Sequence, residues 1–105
     1  MISKEQFFKN VDNLPKLIFS GKQHKKYIIT QRIGSTCYGF RESESQFNVD
    51  LESLYQAYQD NDIVNTNTLL HGGYVTGRWR SPSIAIMQNA GLLDEKGNTI
   101  KSSLI

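Results

Sequence analysis

Two arginines and two serines surround the chain's one tryptophan within the stretch from Thr76 to Leu93. Arginine side chains, serine hydroxyl groups and the free amides at the start of a helix are all groups that bind anions. We therefore interpret this run as a candidate phosphate or carboxylate cradle. Its members are Arg78, Trp79, Arg80, Ser81 and Ser83.

The local sequence predicts the helix start on which this chemistry depends. Ser81 is a good N-cap residue, and Pro82 suits the first helical position, so the helix is expected to begin at Pro82. Amides of a first turn lack intrahelical partners and lie at the positive end of the helix dipole. Gly91 predicts the helix end, and helical spacing predicts a narrow exposed stripe of Ser81, Ala85, Gln88 and Asn89. The alternative interpretation is structural: Ser81 only caps the helix, Trp79 fills the core, and the arginines are solvated or paired with acids.

The charges of the chain are segregated along the sequence. Residues 1–41 carry eight Lys and Arg against two acids, whereas residues 42–62 carry six acids and no Lys or Arg. This distribution predicts a basic face that attracts polyanions, or else pairing between the two segments in the fold. The acidic segment 42–62 is also a candidate surface for a protein partner. The further basic residues that we assign to the candidate phosphate-binding face are Lys25, Lys26, Arg32 and Arg41.

Catalytic and metal-binding patterns are weak. Cys37 with His24 or His71 matches a thiolate and base only in residue type, and a lone cysteine in a strand is usually a packed small hydrophobe. His71 is expected near the end of a helix, where the dipole favours a histidine. One cysteine and two separated histidines have no recognised ligand spacing. We therefore predict no catalytic residues, no metal and no cofactor.

Length and composition bound the class of protein. With 105 residues, 38% of them hydrophobic, the chain is expected to form one globular domain over residues 1–105. It contains no apolar run long enough to span a bilayer and no secretory signal pattern, so we expect a cytoplasmic protein that does not contact a membrane. The single cysteine fits a reducing compartment.

The periodicity of the chain predicts the elements that carry these residues. Ser3 and Gln6 predict a capped N-terminal helix, and Lys16 to Phe19 could be a strand or a turn of helix. After a basic turn at residues 20–25, Tyr27 to Ile33 alternates as a strand, with Ile28, Thr30 and Arg32 on one face. Gly34 and Ser35 predict a tight turn into a return strand from Thr36 to Arg41, and residues 46–49 predict a third strand.

The remaining elements are mainly helical. Asp50 predicts the start of an amphipathic helix, and Asn65 to Leu70 predicts a short second helix stopped by Gly72 and Gly73. Residues from Leu92 onwards are expected to form a hairpin. The fold class is therefore α+β, with a small antiparallel meander packed against three to four helices. A short helix, a capped helix and a C-terminal hairpin in this order are also compatible with a winged helix.

These features predict a non-enzymatic binding protein whose ligand is a nucleic acid, contacted through its phosphates. The core-facing circumference of the last helix and its lack of Lys or Arg make it a poor reader of base edges. Two alternatives stay open at this point. The chain could bind a small phosphorylated or acidic ligand, such as a nucleotide or an acidic peptide, or it could act purely as a protein-interaction partner.

Overall fold

The computed structural model describes residues 2–20 and 25–101 and confirms the α+β class. A four-stranded antiparallel sheet lies beside four α-helices and one 3₁₀ turn. In chain order the elements are α1 (Lys4–Asp12), β1 (Leu17–Phe19), β2 (Lys26–Ile33), β3 (Thr36–Arg41), β4 (Gln46–Asp50), α2 (Leu51–Asp60), α3 (Thr66–His71), the 3₁₀ turn (Gly77–Trp79) and α4 (Arg80–Asn89).

The sheet is a meander in which sequence neighbours are also spatial neighbours, in the order β1-β2-β3-β4. Ile33 pairs with Thr36 across the two-residue turn, and Gly34 has a φ of 60°, the left-handed conformation that such a turn favours. The three predicted strands are confirmed. The run from Lys16 to Phe19 contributes β1, which pairs with the first half of β2 and widens the sheet.

A β-bulge in the middle of β2 changes which residues share a face. Ile29 pairs with Gly39 but Gln31 pairs with Tyr38, so the residue between them, Thr30, has no partner in the ladder. A bulge inserts one extra residue and reverses the alternation beyond it. Arg32 therefore pairs with the buried Cys37, on the core-facing side of the sheet, and not on the face of Ile28 as the alternation predicted.

The predicted starts of the first three helices are confirmed, because each has a polar side chain at its N-cap. Ser3 accepts a hydrogen bond from the amide of Gln6 at 3.1 Å, and Asp50 accepts one from the amide of Glu52 at 3.1 Å. Asn65 accepts from the amide of Thr68, whose hydroxyl lies 3.3 Å from the Asn65 amide in a reciprocal capping box. These caps satisfy amides that have no partner within the helix, and so fix where each helix begins.

Helix α4 lies across the inner face of the sheet, since it contacts both edge strands, β1 and β4. Its buried side includes Ala85, which the helical spacing had placed on the exposed stripe; that assignment was wrong because the helix is more completely surrounded than predicted. Gly91, with a φ of 76°, ends the helix as expected, and the amide of Leu92 donates to the carbonyl of Met87. The core contains Phe7, Ile18, Phe47, Leu51, Leu54, Tyr58, Leu69, Ile86, Met87 and Leu92, among others.

The C-terminal segment makes less sheet structure than a full hairpin. Leu93 pairs with Thr99 across a turn, and Asn98 pairs with Ile63, each as an isolated bridge. Asp94 holds the turn by accepting hydrogen bonds from the amides of Lys96 and Asn98. The end of the expected hairpin, residues 102–105, and the middle of the expected basic turn, residues 21–24, lie outside the described residues.

Candidate functional site

The helix that carries the candidate cradle begins earlier than the sequence predicted. The 3₁₀ turn runs directly into α4, so the helix starts at Arg80 and Ser81 lies inside its first turn. The predicted start at Pro82 with Ser81 as N-cap is therefore wrong. The backbone is already helical before Ser81, because the 3₁₀ turn precedes it and Arg80 has a φ of -61° and a ψ of -52°. The hydroxyl of Ser83 donates to the carbonyl of Trp79 at 2.6 Å, four residues back.

Ser83 is consequently unavailable to a ligand. Its side chain is fully buried, and its hydroxyl is already hydrogen-bonded to the Trp79 carbonyl. Ser81 is exposed, so of the two candidate serines it is the one that solvent reaches.

Trp79 lies close to two guanidinium groups from different elements. Arg78 belongs to the same 3₁₀ turn, with its Cζ 5.3 Å from the ring centroid, and Arg41 comes from the end of β3, with its Cζ at 5.2 Å. Arg41 also donates a hydrogen bond through Nη2 to the carbonyl of Arg78. Guanidinium groups are attracted to the negative face of an indole ring, which offsets part of the repulsion between the two like charges. Trp79 is half-buried, so it does not simply fill the core.

The pairing of β2 with β3 brings two lysines to the same place. Tyr27 pairs with Arg41, so the residues at the start of β2 lie beside the end of β3. An open recess of about 350 Å³ forms there, and the side chains that line it come from segments that are distant in the sequence. It is lined by Lys25, Lys26, Tyr27, Arg41, Glu42, Ser43 and Ser81. We call Lys25, Lys26, Arg41 and Arg78 the basic cluster.

The side chains that line the recess carry more positive than negative charge, since Lys25, Lys26 and Arg41 face the single acid Glu42. Burial raises the pKa of the Tyr27 hydroxyl, and the nearby Arg41 guanidinium and a hydrogen bond with Ser81 partly offset that rise. The hydroxyl of Tyr27 is therefore protonated at neutral pH, and the side chain is buried beneath the recess. Tyr27 is not among the predicted site residues, because its place at the recess depends on its register partner Arg41.

The members of the basic cluster have no carboxylate partner within residues 2–20 and 25–101. The ion pairs in that part of the chain join Lys4 to Glu52 and Arg32 to Asp12. Only the first of them connects the basic first segment with the acidic segment 42–62. Asp50 is used as a helix cap, and Asp60 accepts a hydrogen bond from the hydroxyl of Tyr74 at 3.0 Å. Among the described residues, the basic segment 1–41 and the acidic segment 42–62 are therefore joined by a single ion pair and do not neutralise each other.

Arg32 lies apart from the basic cluster. Its Nε and Nη2 contact the two carboxylate oxygens of Asp12 at 2.5 and 2.6 Å, and its guanidinium lies over the ring of Phe8. The hydrogen bond and charge of Arg32 lower the pKa of Asp12. The β-bulge in β2 explains this placement, because it turns Arg32 towards α1.

Arg80 lies next to Trp79 in the chain but folds back on its own turn. Its Nε donates to the carbonyl of Gly77 at 3.2 Å. Arg80 does not line the 350 Å³ recess.

The thiol that could have supplied a nucleophile is held in its neutral form. Cys37 is fully buried, and burial raises its pKa to about 11, the reverse of the shift that activates a cysteine. Among the described residues, His, Cys, Asp and Glu side chains form no group of three or more that could hold a metal ion. No described helix combines the length and the apolar character needed to cross a bilayer.

Comparison with known proteins adds no family to this description. No protein-family model matches the chain, and no curated protein or solved structure shows significant similarity to it.

Proposed function

We propose that this chain is a non-enzymatic binding protein that contacts nucleic-acid phosphates through the basic cluster. The observation that carries the proposal is the convergence of Lys25, Lys26 and Arg41 on one open recess, with Arg41 and Arg78 both placed against Trp79. Cations without a carboxylate partner retain their attraction for external anions, and several together suit a polyanion better than a single charge does. The exposed Ser81 supplies a neutral donor beside them.

The geometry supports backbone contact more than base-edge reading by α4. Pro82, Ser83, Ala85, Ile86 and Met87 are buried, so most of the helix circumference packs against the protein. A helix that enters a major groove needs an exposed face of residues that reach the bases. We therefore place the nucleic acid at the sheet end and the 3₁₀ turn.

Labelled single-stranded DNA, single-stranded RNA and duplex DNA should be titrated with the protein at about 50 and 200 mM salt, with fluorescence anisotropy as the readout. We expect binding at the lower salt that weakens at the higher, because phosphate contacts release counterions. Arg41→Ala and Arg78→Ala should each weaken binding by at most about 1.5 to 3 kcal/mol, the usual range for a charged hydrogen bond. Lys9→Ala, which removes the same charge from the exposed side of α1, is the matched control and should change affinity little.

A flat anisotropy signal for all three nucleic acids at the lower salt would overturn the proposal. Equal weakening by Lys9→Ala and Arg41→Ala would also contradict it, since attraction would then depend on net charge and not on the cluster.

A small phosphorylated or acidic ligand is the second candidate, and it is favoured by a specific feature. A neighbouring recess of about 300 Å³ shares Lys25, Tyr27 and Ser81 with the first and continues towards Thr66 and Gln88. Its volume is at the lower end of the range typical of small-molecule sites. A thermal-shift screen of mononucleotides and acidic peptides tests this candidate, because a ligand bound only by the native state raises Tm.

We also propose that the exposed parts of the acidic segment 42–62 form a surface for a protein partner. The neutral, buried thiol of Cys37 suits the reducing cytoplasm that we expect for this protein.

A further inference from the structure

The outer face of the sheet carries a row of apolar side chains that no described element covers. Leu17 pairs with Ile28, and Ile28 pairs with Phe40, so the three side chains lie side by side across β1, β2 and β3. Their exposed fractions are 44%, 41% and 38%. The other face of the same strands carries the buried residues and packs against the helices. A contiguous apolar row on a sheet surface is a feature typical of a binding surface.

This row is continuous with the basic cluster. An open recess of about 540 Å³ is lined by Leu17, Ile28 and Phe40 together with Lys26 and Arg41. Lys26 and Arg41 also line the 350 Å³ recess beside Ser81. A ligand that lies across the end of the sheet can therefore contact the cations and the apolar row at once.

We propose that the outer sheet face binds unpaired bases of a single-stranded nucleic acid while the basic cluster holds its phosphates. This inference rests on the nucleic-acid role proposed above and specifies the class of strand. A single strand presents phosphates and flat apolar base faces at adjacent positions, which matches the adjacent cations and apolar side chains. A duplex keeps its bases stacked inside, so it can use the cations but not Phe40. Glu42 and Glu44 lie at the same rim, and we expect the phosphates to pass on the Lys26 side.

Charge complementarity favours this occupant over a second copy of the chain. The two adjoining recesses are lined by Lys25, Lys26 and Arg41 against Glu42 and Glu44, and Arg41 contacts Arg78, so the surface beside the apolar row is positive on balance. A nucleic acid supplies the opposite charge at that position. Phe40 provides the aromatic face on which a base can stack.

The test compares a labelled single strand of about 12 nucleotides, within the usual site size for such surfaces, with a duplex of equal length at low salt. We expect the single strand to bind at least about tenfold more tightly, in line with the stacking of one or more bases. Phe40→Leu retains an apolar side chain but removes the aromatic face, and should weaken single-strand binding by about 5-fold or more while leaving duplex binding unchanged. Phe40→Tyr should retain the single-strand affinity. Ile33→Ala, an exposed apolar residue at the hairpin turn outside the row, is the matched control.

The possible outcomes separate this inference from the function on which it rests. Absence of binding to either nucleic acid overturns both. Equal binding of strand and duplex, with no effect of Phe40→Leu, leaves phosphate binding standing and overturns the assignment of the sheet face. Concentration-dependent doubling of the molar mass in light scattering, abolished by Phe40→Ala but not by Ile33→Ala, assigns the face to a second copy and also overturns it. Circular dichroism of each variant verifies that the fold is retained.

Discussion

Gly39→Ala should be among the most destabilising single-methyl changes in the protein. Gly39 lies in β3, two residues before Arg41, and the ring of the fully buried Phe47 packs directly over it. A methyl group at position 39 would lie 2.8 Å from Cε2 of Phe47, and closer still to Cζ of that ring and to the carbonyl oxygen of Ile28. Carbon atoms in good contact are about 3.5 to 4.0 Å apart, so both the ring and the strand must move.

The magnitude follows from the two opposing effects of the methyl group. Overpacking of a closely packed core costs about 1 to 3 kcal/mol, and we expect the upper end because one of the clashing atoms belongs to the backbone of β2. Replacing glycine in a strand otherwise gains about 0.5 to 1 kcal/mol. The net loss is about 2 kcal/mol in the free energy of unfolding, a large part of the total of about 5 to 15 kcal/mol for a domain. Tm should fall by roughly 10 °C.

The assay is urea unfolding followed by Trp79 fluorescence and circular dichroism, with Gly77→Ala as the matched control. A methyl group at Gly77 would meet its nearest atom, Nε of Arg80, at 4.0 Å. The control is therefore expected to be neutral or to gain up to about 1 kcal/mol through the unfolded state. Phe47→Leu in the Gly39→Ala background should cost less than the sum of the two single changes, because the smaller side chain relieves the clash. Equal stability of Gly39→Ala and the unmodified protein would refute the close packing of Phe47 on β3.

Three further outcomes follow from the structure. If the four cations of the basic cluster each neutralise one phosphate, the slope of log K against log salt for a single strand should be about −2.8, and Arg41→Ala combined with Arg78→Ala should reduce it to about −1.4 in anisotropy titrations; an unchanged slope would remove the cluster from the interface. The pKa of Asp12 is lowered in the folded state by Arg32, so this pair stabilises the fold above the unfolded value of 3.8 and loses its contribution as the pH falls through the lower folded value. Asp12→Asn should therefore be less stable than the unmodified protein at neutral pH, and the difference in stability should vanish at the acidic end of the range. Unfolding monitored by circular dichroism at several pH values measures it; a constant difference across the range contradicts the linkage. The thiol of Cys37, fully buried and with a pKa of about 11, should react with a thiol-specific disulfide reagent at pH 8 only as fast as the protein opens, and rapidly in urea.

Local signals in the sequence were sufficient for most of the secondary structure. A helix cap or a left-handed glycine acts over three or four residues, so Ser3, Asp50, Asn65, Gly34 and Gly91 could be interpreted without any knowledge of distant contacts. The meander was predictable for the same reason, since short turns connect strands that are neighbours in the chain.

The candidate site depended more heavily on contacts between distant residues. The sequence identified Arg78, Trp79, Lys26 and Arg41 as candidate ligand-binding residues, but nothing local showed that Arg41 packs on Trp79, a residue 38 positions later in the chain. The same limit applies to Ser81, where a good cap signal was overridden by the 3₁₀ turn that runs directly into α4.

By itself, the sequence determined the α+β class, the starts of three helices and the types of residue able to bind an anion. Only the tertiary structure decided which cations are free to do so. The bulge in β2 sends Arg32 to Asp12, whereas the register of Tyr27 with Arg41 brings Lys25 and Lys26 to the same recess as Arg41. The physical reason is that alternation and helical spacing are local properties of the backbone, while a single unpaired residue in a strand changes the face of every residue beyond it.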